Sequence, residues 1–290
     1  MMNVILITGC SSGFGMLFAA RLAASGHIVY ASMRNLDKKD DLLEEVNRRG
    51  GEVRLLRLDV TDDFTIEAAI EQIEKDVGRL DVLINNAGYG IAGFFEDLTE
   101  EEIREQMETN FFGVQKVTRR ALPLLRKTAA NSQSKGGVKI INISSVQGRS
   151  PMPGLGAYAT SKFALEGFSE SLYHELRPFG ISVVLVEPGS YRTKIVKENG
   201  RVAERAGDPE SPYTPYVRKF QNRIRQRLKT GKGMGDPEDV AKLVEKIVNK
   251  RNPRLRYLIG GQAKLRVFLR WLLPDHWFSF LLRKALFGKL

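Results

Sequence analysis

The sequence predicts an α/β fold in which helices cover both faces of a parallel sheet. Apolar runs of strand length alternate with longer segments whose apolar residues recur every three to four positions, and this alternation carries the prediction. Continuous apolar strands separated by helices are typical of parallel strands buried on both sides, which right-handed crossovers join into a doubly wound sheet. We expect about seven strands in such a sheet. The clear strands are residues 4–7, 27–32, 53–58, 82–84, 138–143 and 181–186, and the clear helices are 14–24, 64–77 and 100–125.

Length and composition indicate one globular unit. The 290 residues are 42% hydrophobic and 27% charged, which supplies enough apolar material for a full core. Because Cys10 is the only cysteine, a disulfide within the chain and a cysteine-based zinc site are excluded, and three scattered histidines give no metal-binding spacing, so we expect no metal. A secretory signal and a stretch long enough to cross a bilayer are both missing, and we expect a cytoplasmic protein.

The net charge of +11 is concentrated in the last third of the chain. Residues 192–290 hold 24 Lys/Arg against 9 Asp/Glu, whereas residues 1–191 hold 21 against 25. Such a surplus favours nucleic acid, an anionic membrane or an acidic substrate, but a solvated basic surface explains it equally well. Nucleic-acid binding is not expected, because no recognition module accompanies the charge.

Residues 8–15, Thr-Gly-Cys-Ser-Ser-Gly-Phe-Gly, follow the first strand directly and open the first helix. Glycines let the backbone turn sharply and approach a pyrophosphate, whose charge the amides of a helix N-terminus stabilise. A tight turn also needs glycines, so it is the position of the loop in a βαβ unit that favours a Rossmann-type dinucleotide site. The predicted cofactor contacts here are Gly9, Ser11, Ser12, Gly13, Phe14 and Gly15.

The end of the second strand favours NADPH over NADH. An NAD site usually places an acid there to hold the ribose hydroxyls, but residues 30–35 contain none. Arg34 is placed to pair with a 2′-phosphate, although an ordinary surface arginine is the alternative. We therefore expect NADPH/NADP+, with NADH as the second choice.

Two further strand ends carry candidate cofactor contacts. Asp59, followed by Val60, is placed to accept a hydrogen bond from the adenine amine or to cap the helix that starts near Asp63. The segment Asn85-Asn86-Ala87-Gly88 can hold the backbone beside the cofactor, or simply form a turn. The predicted contacts are Asp59, Val60, Asn86, Ala87 and Gly88.

The candidate chemistry centres on Tyr158 and Lys162, whose i, i+4 spacing puts both side chains on one helix face. A nearby ammonium, helped by an oxidised nicotinamide, stabilises the phenolate and lowers the pKa of the phenol, which makes it an acid–base catalyst. Ser145 ends a strand thirteen residues earlier and can bond the substrate oxygen. Asn110 stands inside a helix, where asparagine is disfavoured, and can hold a water in a proton path to Lys162.

Taken in order, these motifs resemble the short-chain dehydrogenase/reductase family from Asn3 to about Gly261. The resemblance implies that Asn110, Ser145, Tyr158 and Lys162 form a catalytic tetrad. It also implies that Pro188, Gly189 and Thr193 contact the nicotinamide end of the cofactor, with Tyr158 and Lys162 beside it. Residues 161–167 look like the branch that contains 17β-hydroxysteroid and retinol dehydrogenases. Bacterial proteins of unassigned substrate share this sequence pattern, so steroid or retinoid activity does not follow.

The implied activity is an NADPH-preferring oxidoreductase that interconverts a small hydrophobic carbonyl compound and its alcohol. Residues 1–261 would form the Rossmann domain with a substrate loop at 190–234, and family habit suggests a homodimer or homotetramer. The candidate substrate walls are apolar or aromatic, which suits a hydrophobic ligand, although each is equally compatible with the core. These walls are Tyr89, Met152, Pro153, Leu155, Tyr191, Ile195, Val196, Tyr213 and Tyr216.

Residues 262–290 form a basic amphipathic extension, in which Leu265, Phe268, Leu269, Leu272 and Leu273 recur at helical spacing. Packing on the body or on a sister subunit is one interpretation, and peripheral contact with an anionic membrane is the other. A regulatory protein that binds NADP(H) without turnover, or a membrane-associated protein, is therefore the alternative function. An intact Tyr/Lys pair favours the enzyme, and the absence of a larger C-terminal substrate domain speaks against an extended sugar epimerase.

Overall fold

A computed structural model describes residues 2–131, 137–191, 200–231 and 233–287. Seven parallel strands form one sheet in the order β3-β2-β1-β4-β6-β7-β9, and helices cover both faces, as the sequence predicts. These strands are β1 (Val4–Ile7), β2 (Ile28–Met33), β3 (Val53–Arg57), β4 (Val82–Asn85), β6 (Val138–Ile143), β7 (Ile181–Pro188) and β9 (Arg256–Ile259). A short pair joins β5 (Gly90–Ala92) to β8 (Gly200–Val202).

The helices are α1 (Gly13–Ala24), α2 (Asp40–Arg48), α3 (Asp63–Val77), α4 (Glu100–Met107), α5 (Gly113–Ala130), α6 (Gly156–Leu176), α7 (Thr214–Thr230), α8 (Pro237–Asn249), α9 (Gly261–Leu272) and α10 (Asp275–Phe287). Within the described ranges, no helix is both long enough and apolar enough to cross a bilayer.

Alternation along the strands divides the core into two layers. Ile5 and Ile7 of β1 pack with α1, α2 and α8, whereas Val4 and Leu6 pack with α3, α5 and α6. Successive strand residues point to opposite faces, so a strand covered on both sides is apolar at every position. This is why β1, β4 and β6 are buried throughout their length.

The sheet order reverses at β1, which pairs with β2 on one side and β4 on the other. The helices that follow these two strands leave toward opposite faces, and this opens a crevice at the carboxyl ends of the strands, where such sheets bind ligands. The glycine loop after β1, the turn after β4 and Ser145 after β6 all meet this edge.

Two local predictions are wrong. The single helix expected over 100–125 is instead α4 and α5, joined by a π-helical turn at Glu108–Phe112. A substrate loop is expected over residues 190–234, but 200–202 within it form β8, because their backbone pairs with β5 and Ala203 donates to the Ala92 carbonyl at 2.8 Å.

Candidate active site

The loop after β1 is held at a close backbone approach that only glycines allow. Gly9 has a φ of +72°, and a Cβ at this residue would lie 2.8 Å from Ala87 Cα. A Cβ on Gly15 would lie 2.3 Å from the Gly9 carbonyl oxygen and 2.4 Å from Asn86 Nδ2. All three distances are far below van der Waals contact, so side chains larger than glycine would not fit where the loop, the start of α1 and the turn after β4 meet.

The outer side of the same loop is open. Gly13 has a φ of +62°, and a Cβ there would meet no atom within 4 Å. The Ser12 side chain does not cap α1, and the first turn of the helix has no acidic residue, so the partial positive charge of the N-terminus is uncompensated. An open, cationic cradle of this kind fits the pyrophosphate of a nicotinamide dinucleotide.

Phe14 and Cys10, within the loop, have their side chains in the core. Phe14 stacks on Phe18 with ring centroids 5.9 Å apart and meets Tyr191 edge-on at 5.7 Å, so only its backbone amide can reach a cofactor. Burial raises the pKa of the Cys10 thiol to about 12, which keeps it neutral. Ser11 is half-buried and lies on the accessible side.

The turn after β4 is tied to the loop by hydrogen bonds. The Thr8 hydroxyl accepts from the backbone N–H of Asn86 and of Ala87, each at 3.0 Å, and Asn86 Nδ2 donates to the Thr8 and Gly9 carbonyls at 2.9 and 3.0 Å. Asn85 is different. It is buried, and its amide donates to Thr118 and Asn142 at 3.0 and 2.9 Å, so its role is structural.

Arg34 lies one residue beyond β2, and its side chain is exposed. In the part of the chain that the structure describes, no carboxylate pairs with it. The β2–β3 register sets Arg57 opposite Met33, so a second exposed guanidinium reaches the same edge. Arg57 could not be predicted as a candidate because only the strand register places it opposite Met33, the residue before Arg34.

Asp59 does not cap α3, since Asp62 accepts from Phe64 N at 3.0 Å and fills that role. Asp59 Oδ1 instead accepts from the backbone N–H and the hydroxyl of Thr61, at 3.0 and 2.8 Å. This closes an Asx turn that holds a half-exposed carboxylate beyond β3, and the neighbouring Val60 side chain is buried. The interpretation of Asp59 as a helix cap is therefore wrong.

Tyr158, Lys162 and Ser145 come together at the carboxyl ends of β4 and β6. Ser145 is near enough to the Tyr158 phenol to lower its pKa, and Lys162 Nζ lies 5.8 Å from the centre of the phenol ring. Lys162 Nζ donates to the Ile143 carbonyl at 2.9 Å, which fixes the buried ammonium at the end of β6. Gly90 lies against the tyrosine ring, where a Cβ would be 3.5 Å from Tyr158 Cδ2.

Burial shifts both titrating groups of this cluster. It raises the pKa of Tyr158, although Ser145 acts in the opposite direction. It lowers the pKa of Lys162 to about 8, and the Glu166 carboxylate partly offsets this effect. For Tyr158, the loss of water around the phenol therefore outweighs the effect of Ser145.

Asn110 lies in the π-helical turn and is completely buried. Its Nδ2 donates to the Tyr89 carbonyl at 2.9 Å and to Ser161 Oγ at 3.1 Å, and its Oδ1 accepts from Tyr89 N at 3.1 Å. The side chain therefore clamps the segment after β4 onto α6. A π-turn inside a helix is frequent at functional sites, and here it is what directs the amide inward.

The end of β7 brings Pro188 and Gly189 to the same edge. Gly189 N donates to the Ile259 carbonyl at 3.0 Å, and a Cβ on Gly189 would lie 2.9 Å from Ala263 Cβ, so β7 and the start of α9 are in close contact. Thr193, Ile195 and Val196 lie outside the described residues. Tyr191 packs in the core rather than against a substrate space.

A buried acid at the end of β7 was missed by the sequence analysis. Glu187 is completely buried, and Arg149 donates to its Oε1 at 3.2 Å. Burial raises the pKa of Glu187 to about 7, and the Glu166 carboxylate acts in the same direction. The sequence feature that could have indicated this buried acid is a single Glu between an apolar strand and the Pro-Gly pair.

The substrate side of the cluster is bounded by β5 and the segment after β8. Gly93 N donates to the Gly154 carbonyl at 2.9 Å, and Tyr213 stacks on Phe94 with ring centroids 4.8 Å apart. The Tyr213 hydroxyl donates to Glu96 at 3.0 Å. These contacts anchor the described part of the 190–234 segment beside Tyr158. Among the described residues, no group of three or more His, Cys, Asp or Glu could hold a metal ion.

Comparison with known proteins decides the family. A sequence model described as "short chain dehydrogenase" matches residues 3–203. The chain belongs to the short-chain dehydrogenase/reductase family. Its fold, the glycine loop and the tyrosine–lysine helix agree with this assignment, and the protein is an NAD(P)-dependent oxidoreductase of that family.

Three relatives show how far the similarity extends. An uncharacterized oxidoreductase, YusZ, of Bacillus subtilis is 39% identical and covers 99% of both chains. A 3-ketodihydrosphingosine reductase of Bacteroides thetaiotaomicron is also 39% identical and covers 97% of both chains. The crystal structure of a short-chain dehydrogenase from Streptomyces avermitilis has 34% identity and a TM-score of 0.78, and the match covers 98% of this chain and 96% of that one.

Proposed function

We propose that the protein reduces the ketone group of a hydrophobic compound with NADPH and catalyses the reverse oxidation of the alcohol. The observation that carries the proposal is the meeting of Tyr158, Ser145 and Lys162 beside the glycine cradle at one edge of the sheet. The family assignment supports nicotinamide chemistry at that edge.

The nicotinamide cofactor supplies the hydride that forms the new C–H bond of the alcohol. Tyr158 donates the proton that forms the O–H bond, and its raised pKa keeps this proton in place at neutral pH. Ser145 bonds the carbonyl oxygen. Lys162, held by the Ile143 carbonyl, provides a positive charge within 6 Å of the phenol that stabilises the phenolate left after proton transfer. Asn110 positions the turn that borders the site.

A preference for NADPH follows from charge at the adenosine end. Arg34 just after β2 and Arg57 at the end of β3 are exposed, and residues 30–35 offer no carboxylate for ribose hydroxyls. Guanidinium groups bind phosphate oxygens well, so two of them favour a 2′-phosphate. Asp59, Asn86, Ala87 and Gly88 would line the rest of the cofactor.

A long-chain ketone is the substrate class that the name of one relative favours. The relative with the name 3-ketodihydrosphingosine reductase is similar over nearly the whole chain, including the region beyond residue 203 where substrate segments lie. Leu155, three residues before Tyr158, pairs with Gly93 and donates its N–H to the Met152 carbonyl at 3.2 Å. Phe94 follows Gly93 in the chain and stacks on Tyr213. Apolar linings of this kind suit a hydrophobic chain.

The proposal is tested by the oxidation of NADPH and of NADH with a panel of ketones, including 3-ketodihydrosphingosine, a steroid ketone, retinal and a quinone. We expect turnover of at least one hydrophobic ketone, faster with NADPH. Tight nucleotide binding with no turnover anywhere in the panel would contradict it and favour a protein that senses NADP(H).

Assembly and location are also proposals. We expect a homodimer or homotetramer, as is usual in the family, and a cytoplasmic protein. Light scattering during gel filtration determines the first, and cell fractionation the second. A contact between the C-terminal segment and a membrane has separate support, which comes from the side chains of the last two helices.

A further inference from the structure

The last two helices, α9 and α10, expose an unusual amount of apolar surface. Of the fourteen large apolar side chains that are exposed in the described part of the chain, seven belong to these helices. They are Leu265, Phe268, Trp271, Leu272, Trp277, Phe280 and Leu281, and we refer to them as the C-terminal apolar surface. Exposed apolar residues are normally scattered singly, and clusters mark sites of interaction.

In α9 the apolar side faces outward. Ala263 is buried against the domain, and Arg266 is half-buried on the same side. Leu265, Phe268 and Leu272, spaced three and four residues apart, have 58%, 52% and 54% of their surface exposed. A helix that only packs on its own domain would have the reverse arrangement, with apolar residues inward and charges outward.

The helix α10 repeats this arrangement. Phe278 is buried, with the Arg270 guanidinium of α9 5.5 Å from its ring centre, whereas Trp277, Phe280 and Leu281 are exposed. Lys284 is exposed on the same side, 6.0 Å from the centre of the Phe280 ring. Both helices that expose apolar side chains are in contact with each other, because Arg270 of α9 pairs with Asp275 of α10.

The charges around this surface are almost all positive. Residues 261–287 contain five Lys or Arg and one acid, Asp275, which forms an ion pair with Arg270. Lys264 and Lys284 are exposed among the apolar side chains. A second copy of the same surface would bring like charges together, whereas an anionic lipid headgroup complements them, and long lysine side chains can reach headgroups while their stems stay apolar.

We propose that the C-terminal apolar surface docks on anionic phospholipid membranes, with α9 and α10 lying in the plane of the headgroups. Exposed tryptophan, phenylalanine and leucine side chains would enter the acyl boundary, and the basic residues would contact the phosphates. The close contact of Ala263 with Gly189 places the start of α9 at the active-site edge of the sheet, so docking would bring that edge near the lipid. The proposal does not depend on the proposed reaction.

The protein carries its own probe for this test, because Trp271 and Trp277 are its only two tryptophans and both belong to the surface. Vesicles of equal parts phosphatidylcholine and phosphatidylglycerol are added at low salt, without substrate or nucleotide. We expect a blue shift of tryptophan emission, quenching by lipids with brominated acyl chains, and flotation of the protein with the vesicles. Pure phosphatidylcholine and high salt should weaken all three.

A matched pair of variants tests the position of the contact. Phe268 and Phe179 are both 52% exposed, and Phe179 lies at the amino end of β7, away from the C-terminal helices. Phe268→Glu should weaken vesicle binding at least about tenfold, because a buried aromatic side chain is lost and a repelled charge is gained. Phe179→Glu should have no effect. Neutralising Lys264 or Lys284 with glutamine should weaken binding about fivefold for each lysine.

Two results would overturn the proposal. One is unchanged tryptophan emission together with no flotation of the wild-type protein at low salt. The other is a blue shift that depends on protein concentration and needs no vesicles, which would assign the surface to a second copy of the chain. Ketone reduction in solution is measured in parallel, so that a failure to bind lipid is not confused with a failure of the proposed function.

Discussion

Substitution of Gly15 by alanine tests the geometry of the cofactor loop. Gly15 is a helical residue of α1, so a Cβ that met open space would favour the helix by about 1 kcal/mol. The structure instead sets this Cβ 2.3 Å from the Gly9 carbonyl oxygen and 2.4 Å from Asn86 Nδ2. Backbone cannot rotate away as a long side chain can, so the loop itself must move.

The expected loss has two parts. Movement of the Gly9 carbonyl breaks the bonds from Asn86 to Thr8 and Gly9, which contribute about 1–3 kcal/mol together. Overpacking adds about 1–3 kcal/mol. After the helix gain is subtracted, we expect Gly15→Ala to lower the free energy of unfolding by about 1–5 kcal/mol, and a displaced loop should weaken NADPH binding at least about tenfold.

The control is the same substitution at Gly167, which is exposed in the middle of α6 and whose Cβ would meet no atom within 4 Å. Gly167→Ala should raise the free energy of unfolding by about 0.5–1 kcal/mol and leave nucleotide binding unchanged. Urea unfolding and titration calorimetry measure both quantities. If Gly15→Ala were as stable as Gly167→Ala and bound NADPH normally, the close approach described here would be refuted.

Three further predictions concern the proposed site. Burial lowers the pKa of Lys162 to about 8 and raises that of Tyr158, so the Lys162 ammonium loses its proton before the phenol does as pH rises. Above pH 8, kcat/KM for ketone reduction should therefore fall about tenfold per pH unit. A constant kcat/KM up to pH 10 would contradict this prediction. Arg34→Asp should reduce the preference for NADPH over NADH by about ten- to a hundredfold, since a charge-assisted hydrogen bond contributes about 1.5–3 kcal/mol. If the ratio of kcat/KM with NADPH to kcat/KM with NADH were the same in the variant and the wild type, Arg34 would not be a cofactor contact. Asn110→Ala leaves the backbone N–H of Tyr89 without its buried partner, whereas the Tyr89 carbonyl keeps the bond that Gln106 Nε2 donates at 2.8 Å. The free energy of unfolding should therefore fall by about 1–3 kcal/mol in denaturant titrations, and an unchanged midpoint would show that the clamp is unimportant.

The sequence predicts the sheet well because buried parallel strands leave an unambiguous pattern. β1 and β6 begin and end at the predicted residues, since every position of each is apolar or buried. The lone Lys139 within β6 does not break the strand, because its Nζ reaches the Gly137 and Val248 carbonyls at 3.0 Å each.

Features that depend on tertiary contacts could not be predicted in this way. The π-turn at Glu108–Phe112 directs Asn110 toward partners on other segments, and the periodicity of apolar residues along a helix contains no information about such partners. β8 forms only because β5 lies next to it. Likewise, Arg57 becomes a candidate phosphate contact only through the β2–β3 register.

The same distinction between local patterns and tertiary contacts applies to the candidate site. Motifs with fixed spacing, such as Tyr158 and Lys162, predict which side chains share a helix face, and the structure brings Ser145 to them. The burial that raises the pKa of the phenol was not predicted, because local charge can be read from a sequence but the loss of water around a side chain cannot.

The most direct test of the proposed mechanism compares the wild-type protein with Tyr158→Phe in single-turnover reduction of whichever ketone the panel identifies. Removal of one hydroxyl leaves the packing of the ring against Gly90 intact, so NADPH should bind with unchanged affinity. The rate of ketone reduction should fall by about a hundred- to ten-thousandfold, which is the usual contribution of a positioned acid. A variant that binds NADPH and reduces the ketone at the wild-type rate would contradict the assignment of Tyr158 as the proton donor.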